Sequence, residues 1–280
     1  MRLTFLGTGT SAGIPMIGCR CEVCTSSDPR DSRLRASALV EWTDATGQDR
    51  AVLIDASPDL RYQALRHNRG EGLHRLDAIL FTHNHVDHTF GLDEVRRFNA
   101  VMRQAIDIYA DEHTLEHLFR VYRHIFVPEG NVQRSFVATL QPRELRPAEP
   151  IELWGVRFTP IPLLHGTMPI LGFRIEPANP AISADWAPLA YCTDTSAVPD
   201  AARPMLTGLK TLVLDALRHR PHETHMTLDQ ALAEAEQIAA DRTLFIHMSH
   251  DLPHAETERG LPAAVGLSYD GLCLGGPDAF

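Results

Sequence analysis

A cluster of potential metal ligands directly after an apolar segment is the feature that most constrains this chain. The segment Asp77–Thr82 reads as a buried strand, and the sequence HNHVDH follows it. Alternate side chains of an extended backbone leave the same side, so His83 and His85 point together. The turn into a helix then directs Asp87 and His88 toward a second point. Four such side chains within six residues predict a metal site at the end of a rigid strand, in preference to a solvated histidine-rich turn.

Composition fits a globular metal protein. Of the 280 residues, 44% are hydrophobic and 22% charged, enough apolar material for a substantial core. The net charge of −10 argues against nucleic acid as a partner, because such binding relies on Lys and Arg that neutralise phosphates. The 15 histidines point to metal chemistry. No apolar run approaches the ~20 residues of a membrane helix, and no signal-peptide pattern is seen, so we expect a cytoplasmic protein without membrane association.

Short apolar runs alternate with amphipathic segments along the chain. The predicted strands are Arg2–Leu6, Ala36–Trp42, Ala51–Asp55, Asp77–Thr82, Ile106–Ala110, Val156–Leu164, Leu171–Glu176, Leu189–Thr193, Thr211–Ala216, Thr243–His247 and Val265–Tyr269. The predicted helices are Pro58–Asn68, Leu92–Met102, Glu112–Ile125 and Thr227–Ala240, while Asn131–Pro150 is ambiguous. Strands with intervening helices indicate an α/β protein whose sheets are covered by helices.

The pattern HxHxDH resembles the signature of the metallo-β-lactamase superfamily. That resemblance implies three further ligands in the order His, Asp, His, each after a strand. The sequence supplies His165 in TPIPLLHG, Asp194 in LAYCTDTS and His247 in TLFIHMSH. Each alone reads equally well as an ordinary core or turn residue. All three in the expected order favour the ligand interpretation.

The resemblance also implies an architecture and a division of ligands. The expected fold is α/β (α+β), a four-layer αββα sandwich with the site at one edge between the sheets. The implied ligand sets are His83, His85 and His165 for one divalent ion, Asp87, His88 and His247 for the other, and Asp194 as the bridge. Asp55, which follows the strand AVLID, reads either as support for the metal loop or as a helix-start carboxylate.

A second cluster is the C-x-C-x-x-C motif of Cys19, Cys21 and Cys24. The five cysteines of the chain are odd in number, which argues against a disulfide framework. Three thiolates this close favour a structural Cys₃His zinc site, with His250 as the best fourth ligand. A redox-active cysteine pair is the competing interpretation. The predicted zinc-binding insert spans about residues 19–35.

The cysteine cluster and the ligand loop together resemble the PhnP branch of the superfamily. The stretches that carry this resemblance are LGTGTSAGIPMIGCRCEVC, IDASPDLRYQ, THNHVDHTFGLDEVRRFN, HMSH and SYDG. They run from Leu6 to Gly271, so we expect one hydrolase domain over residues 1–280. PhnP-type proteins are phosphodiesterases that open five-membered cyclic phosphates of ribose. The resemblance implies a two-metal site with Mn or Zn, a separate structural zinc, and a homodimer.

We therefore expect a dinuclear-metal phosphodiesterase that uses metal-activated hydroxide on a small phosphodiester. The resemblance implies that His225 is the general acid, with His222 as the alternative, and Asp87 counts as both ligand and catalytic residue. Arg218 or Arg220 is a candidate for binding a second phosphate. The alternatives are a nuclease similar to RNase Z and a non-catalytic accessory protein similar to PqqB.

Overall fold

Two seven-stranded mixed sheets make up the centre of the molecule in the computed structural model, which describes residues 1–67, 70–131 and 136–275. The first sheet contains, in spatial order, β14 (Cys273–Leu274), β1 (Arg2–Gly7), β2 (Ser37–Thr43), β3 (Asp49–Ile54), β4 (Ala78–Leu80), β5 (Ile106–Ala110) and β6 (Leu140–Glu144). The second contains β13 (Val265–Leu267), β12 (Arg242–Ile246), β11 (Thr211–Asp215), β10 (Leu189–Cys192), β9 (Met168–Pro177), β8 (Val156–His165) and β7 (Ile151–Leu153).

Each sheet is half antiparallel and half parallel. In the first sheet, the strands from β14 to β3 pair antiparallel and those from β3 to β6 pair parallel. In the second, the strands from β13 to β10 pair parallel and those from β10 to β7 pair antiparallel. The carboxyl ends of parallel strands meet at one edge, and the loops that follow them gather there.

Alternating side chains of the strands build three apolar layers. Val52 and Ile54 of β3 lie in the core between the sheets, whereas Leu53 lies in the core outside the first sheet. In β12, Ile246 faces the central core and Phe245 the core outside the second sheet. Helices cover both outer faces, which confirms the expected αββα sandwich.

The helices in the described ranges are α1 (Leu60–Arg66), α2 (Val86–Thr89), α3 (Arg96–Met102), α4 (Glu112–Val121), α5 (Arg123–Phe126), α6 (Leu228–Ile238) and α7 (His254–Gly260). The capping box expected at Thr227 and Gln230 is present. The prediction of one helix over Glu112–Ile125 is wrong. The backbone leaves helical geometry at Tyr122 (ψ 38°), where the hydroxyl donates to the Thr89 carbonyl.

All eleven predicted strands are present, with ends shifted by at most three residues. β4 is shorter than predicted because the Thr82 N–H donates to Asp55 Oδ1 and not to a neighbouring strand. The elements absent from the prediction are β6, β7, β14, α2 and α7. The predicted helix end at Asn68 and part of the ambiguous segment, residues 132–135, lie outside the described residues. No helix among the described residues is long and apolar enough to cross a membrane.

Candidate metal centre

The candidate ligands, together with the supporting residue Asp55, lie where strands of both sheets end. Asp55 and His247 directly follow β3 and β12, and His165 is the last residue of β8. Asp194 lies just beyond β10, and His83 lies in the loop that leads from β4 into α2. The topology thus brings residues that are distant in sequence to one edge of the sandwich.

Three of these residues have a strained backbone. The φ angles of Asp55, Asp194 and His247 are 62°, 55° and 63°, in the left-handed region that favours glycine. Each such residue costs about 1–3 kcal/mol and persists only where its surroundings enforce the conformation. Three of them around one spot indicate a functional site.

Two groups of ligand atoms lie side by side. In the first group, imidazole nitrogens of His83, His85 and His165 all lie within 4.8 Å of one another. In the second group, ligand atoms within 4.8 Å of one another belong to Asp87, His88, Asp194 and His247. The ring centroids of His83 and His88 are 4.3 Å apart, so the groups adjoin. All seven predicted ligands therefore lie in one cluster, in which His85 is exposed to solvent.

Asp194 lies between the two groups. Its Oδ2 is 3.2 Å from Nε2 of His88, and its Oδ1 is 3.2 Å from Nε2 of His247 and 3.9 Å from Nε2 of His83. The Thr193 hydroxyl donates to Oδ2 at 2.7 Å and orients the carboxylate. In this position the carboxylate offers an oxygen to either group.

The donor set fits divalent metal ions. The Nε2 atoms of His83, His88 and His247 are buried and have no hydrogen-bond partner among the described residues. Buried polar atoms are nearly always satisfied, so converging nitrogens of this kind indicate a ligand that completes them. Imidazole and carboxylate groups are ligands of zinc and other divalent ions.

The second nitrogen of two ligand histidines is fixed by the protein. Nδ1 of His88 is 2.7 Å from Asp55 Oδ2, which also accepts from the Thr82 hydroxyl. Nδ1 of His165 is 2.8 Å from the carbonyl of Thr224. Because these oxygens accept, both Nδ1 atoms carry the hydrogen and both Nε2 atoms present a lone pair to a metal. Asp55 therefore contacts the loop that carries the ligands.

Burial and charge act in opposite directions on the acidic ligands. Burial raises the pKa of Asp194, but His247 and His88 outweigh it and hold this pKa well below its ordinary value. The pKa of Asp87 is likewise lowered by His88 and His247 against the effect of burial. Burial, and then the charge of His88, lowers the pKa of His83 well below its ordinary value. Burial opposes a charge on His88, but Asp194 and Asp87 outweigh it and raise its pKa well above the ordinary value, so a metal that binds this imidazole displaces a proton.

One buried carboxylate beside the cluster is absent from the sequence prediction. Asp215, the last residue of β11, has Oδ1 3.0 Å from Nδ1 of His225 and 3.6 Å from Nδ1 of His247. Its Oδ2 accepts the N–H of Met226 at 3.0 Å. The signal was available, because TLVLD ends in an aspartate in the same way as the AVLID segment that leads to Asp55.

Both predicted candidates for the general acid lie at this site. The ring of His225 stacks on that of His247 with centroids 4.7 Å apart and lies 4.6 Å from the ring of His165. Burial, followed by the charge of His247, lowers the pKa of His225 to about 4. The ring of His222 is 5.1 Å from that of His225, but this residue is exposed.

The arginines of the neighbouring loop are engaged within the protein. Arg218 donates to the carbonyls of Arg220 and Pro221, and Arg220 donates to Asp251 at 3.0 Å. Their guanidinium groups hold the loop that carries His222. The side chain of Arg220 remains 73% exposed, and the binding of a second phosphate by one of these arginines stays a prediction.

The cysteine motif and His250 form a second candidate site. The Sγ atoms of Cys19, Cys21 and Cys24 lie 3.3, 3.3 and 3.6 Å from Nδ1 of His250. All three thiols are free. A hydrogen bond from the Cys24 N–H lowers the pKa of Cys21 to about 7, which favours the thiolate that a metal binds. Three sulfurs around one imidazole nitrogen have the composition of a Cys₃His zinc site.

The fold and the donor set define a class of protein. A sequence-family model described as a beta-lactamase superfamily domain matches residues 50–248, and the chain belongs to that superfamily. A solved structure described as a new diphosphatase from the PhnP family is 44% identical, with a TM-score of 0.83 over 98% of this chain and 96% of that chain. These matches confirm the predicted metallo-β-lactamase fold and the likeness to PhnP. The chain is a metal-dependent hydrolase related to that diphosphatase.

Other relatives share the fold under different names. An octanoyltransferase of Porphyromonas gingivalis is 33% identical over 276 residues, which are 97% of this chain and 51% of that protein. The chain thus spans about half the length of that relative. A coenzyme PQQ synthesis protein B of Methylobacterium sp. is 27% identical over 98% of this chain and 99% of its own length. A human tRNase Z structure is 18% identical with a TM-score of 0.67, a likeness of fold alone.

Proposed function

We propose that the chain is a dinuclear-metal phosphodiesterase that hydrolyses a small cyclic ribose phosphodiester. The pair of adjoining ligand groups that share Asp194 carries this proposal. A 44% identical structure of the PhnP family supports hydrolysis at phosphorus. In the reaction, water adds to phosphorus, one P–O bond of the diester breaks, and the leaving oxygen takes a proton.

The proposed ligand sets are His83, His85 and His165 for one ion, Asp87, His88 and His247 for the other, and Asp194 between them. Two ions bound in this way supply hydroxide at neutral pH and stabilise the charge that develops on the phosphoryl oxygens. Manganese and zinc both suit imidazole and carboxylate donors.

The chain itself supplies the proton for the leaving oxygen. His225 lies against His165 and His247, and its Nδ1 faces Asp215. The Asp215 carboxyl group fixes the orientation of the ring through its contact with Nδ1. Nε2 is left for the substrate. A positioned acid of this kind contributes about 10²–10⁴-fold in rate.

Hydrolysis of a diphosphate linkage is the second candidate. The observation that favours it is the description of the PhnP-family structure as a diphosphatase. Both reactions break a P–O bond at a phosphorus atom that carries two substituents. The same ligands and the same proton donor serve either one.

Two other functions fit the chain less well. A nuclease similar to RNase Z needs to bind a polyanion, and the net charge of −10 opposes this. A PqqB-like accessory role does not require the seven clustered ligands that this chain retains.

We also propose that Cys19, Cys21, Cys24 and His250 hold one structural zinc ion. The three sulfur–nitrogen distances of 3.3 to 3.6 Å support this assignment. The insert that carries the cysteines then belongs to one hydrolase domain.

The experiment that tests the proposed function is a substrate panel with the manganese- or zinc-loaded protein. The panel contains a ribose 1,2-cyclic phosphate, a 2′,3′-cyclic nucleotide, a linear diester, a dinucleoside diphosphate and a tRNA precursor. Selective opening of the 1,2-cyclic ring supports the first proposal, and selective cleavage of the diphosphate supports the second. Protein that holds its metals but cleaves none of the five contradicts both.

A further inference from the structure

The thiols of the cysteine cluster are within reach of solvent and of one another. Cys19, Cys21 and Cys24 are partly exposed, whereas Cys192 is buried. The three Sγ atoms and an imidazole nitrogen of His250 all lie within 4.8 Å of one another. A small oxidant in solution therefore meets a group of thiols that are close enough to react with each other.

Cys21 and Cys24 are the pair that the local backbone aligns for a disulfide. Cys21 precedes a short 3₁₀ turn, Val23–Thr25, and its carbonyl accepts the N–H of Thr25 at 3.1 Å. This turn carries Cys24 back over Cys21, so that the Cys24 N–H donates to the Cys21 sulfur at 3.5 Å. Rotation of the two side chains brings the sulfurs to the bonding distance of about 2 Å. The spacing C-x-x-C is also that of redox-active disulfides.

The segment that follows β12 depends on the cysteine-rich insert for its position. This segment carries His247, a ligand of the dinuclear site, and His250, which faces the cysteines. Asp31 of the insert accepts the N–H of His254 at 2.7 Å. The buried guanidinium of Arg33 donates to two carbonyls of the segment, at 2.7 and 2.6 Å. A rearrangement of the insert is thus transmitted to a ligand of the dinuclear site.

We propose that the cysteine cluster is a site of reversible oxidation by hydrogen peroxide, and that this oxidation releases the zinc and weakens the dinuclear site. The inference rests on the proposed zinc site and adds a regulatory reaction to the hydrolase. The Cys21 thiolate attacks one peroxide oxygen, which gives a sulfenic acid and hydroxide. The Cys24 thiolate then attacks the Cys21 sulfur, the S–S bond forms, and a second hydroxide leaves. Two protons from solvent convert both hydroxides to water, so two thiolates are oxidised and one peroxide is reduced.

The disulfide leaves too few donors for a structural zinc ion. Such sites use four protein ligands, and only Cys19 and His250 remain after the pair has formed. Without the metal, His250 is no longer joined to the insert through the cysteines, and the segment that carries His247 loses a fixed point. Loss of an outer support typically lowers metal affinity by about 10–100-fold. We therefore expect manganese to bind the dinuclear site about tenfold more weakly after oxidation.

The test uses the full-length protein with zinc at the cysteine cluster and with the dinuclear site emptied. Hydrogen peroxide is added, and catalase then removes the remainder. A chromogenic chelator measures released zinc, thiol titration measures lost thiols, and peptide mass spectrometry locates the disulfide. Manganese affinity is measured by electron paramagnetic resonance before and after treatment, so no readout depends on turnover. The control is Cys273→Ser, because that thiol lies in β14 beside the Thr4 hydroxyl.

We expect oxidised wild type to release its zinc, to form the Cys21–Cys24 disulfide and to bind manganese about tenfold more weakly. A phosphine reductant with added zinc should reverse all three changes, and Cys273→Ser should respond as wild type does. Zinc that is retained in peroxide, or lost without this disulfide, overturns the oxidation site. Unchanged manganese affinity in the oxidised, zinc-free protein overturns the coupling. Reduced protein that binds no zinc refutes the zinc site and this inference with it, whereas the phosphodiesterase proposal is decided separately by the substrate panel.

Discussion

Histidines at this site are oriented through the nitrogen that does not face the centre. His88 is held by Asp55, His165 by the Thr224 carbonyl and His225 by Asp215. A neutral imidazole presents a lone pair at one nitrogen only when the other carries the proton. The outer partners therefore decide what each ring can do.

Asp215→Asn should lower kcat by about 10–100-fold, the usual effect of losing such a partner. The Met226 N–H and the Nδ1–H of His225 each need an acceptor at residue 215. An asparagine has only one side-chain oxygen, so its NH₂ group faces one of these two donors. Steady-state kinetics with metal analysis measure the effect. The control is Asp229→Asn, an exposed carboxylate on α6. Activity within twofold of wild type would remove Asp215 from the mechanism.

His225→Ala should discriminate between leaving groups. Loss of a proton donor should slow diesters with alkoxide leaving groups by about 10²–10⁴-fold. Bis(p-nitrophenyl) phosphate should be slowed much less, because p-nitrophenolate leaves without a proton. Paired assays of both substrates, with His222→Ala alongside, give the answer. Equal losses on the two substrates in His225→Ala would reject the role of proton donor.

At the scale of elements, one loop serves both candidate metal sites. His247 directly follows β12, and His250 faces the cysteines three residues later. The buried guanidinium of Arg33 donates to the carbonyls of Ser249 and Leu252 at 2.7 and 2.6 Å. The cysteine-rich segment and the ligand loop are thereby tied together.

Cys21→Ser should remove one equivalent of bound zinc and lower the Tm. The reason is that a Cys₃His site contributes folding free energy when it binds metal. Zinc analysis and thermal unfolding test this prediction. Cys273→Ser is the matched control, because that thiol lies in β14 beside the Thr4 hydroxyl and away from the cluster. Unchanged zinc content and Tm in Cys21→Ser would contradict a structural zinc site.

The sequence predicted the long apolar strands but not the short polar ones. β3 and β12 could be predicted from the sequence because their side chains face two different apolar cores in alternation, which makes the whole segment apolar. β6, with the sequence LQPRE, is an exposed edge strand that contains a proline, and nothing in its periodicity marks it. The four-residue helix α2 is set by the loop around Asp87 and not by helix-forming residues. The ligands that follow strands could be predicted because the apolar pattern of each strand marks where it ends. The pairing of Asp215 with His225 could not be predicted, because it depends on how distant segments pack.

At the scale of the whole molecule, Asp270 joins distant parts of the chain. Its carboxylate accepts from the Thr8 hydroxyl and from the Leu34 N–H, each at 2.8 Å. These contacts connect the C-terminal region to the end of β1 and to the segment before β2. Burial raises the pKa of Asp270 to about 7.

The stability that Asp270 contributes should fall as the pH rises from about 4 to about 7. In this window the unfolded carboxyl, with a pKa of about 3.9, has lost its proton, whereas the folded one still holds it. Urea unfolding of wild type and Asp270→Asn at pH 5 and pH 8 measures this contribution. The free energy of unfolding of wild type minus that of the variant should be smaller at pH 8 than at pH 5. A difference that does not change with pH would contradict the assignment.

The central claim is that two ions share Asp194 and act together in hydrolysis. The most direct test is a manganese titration of protein whose dinuclear site has been emptied, with bound metal and bis(p-nitrophenyl) phosphate turnover followed together. We predict that turnover rises until two equivalents are bound in addition to the zinc of the cysteine cluster, and that Asp194→Ala removes this activity. Full turnover at one equivalent, or full turnover in Asp194→Ala, would contradict the claim.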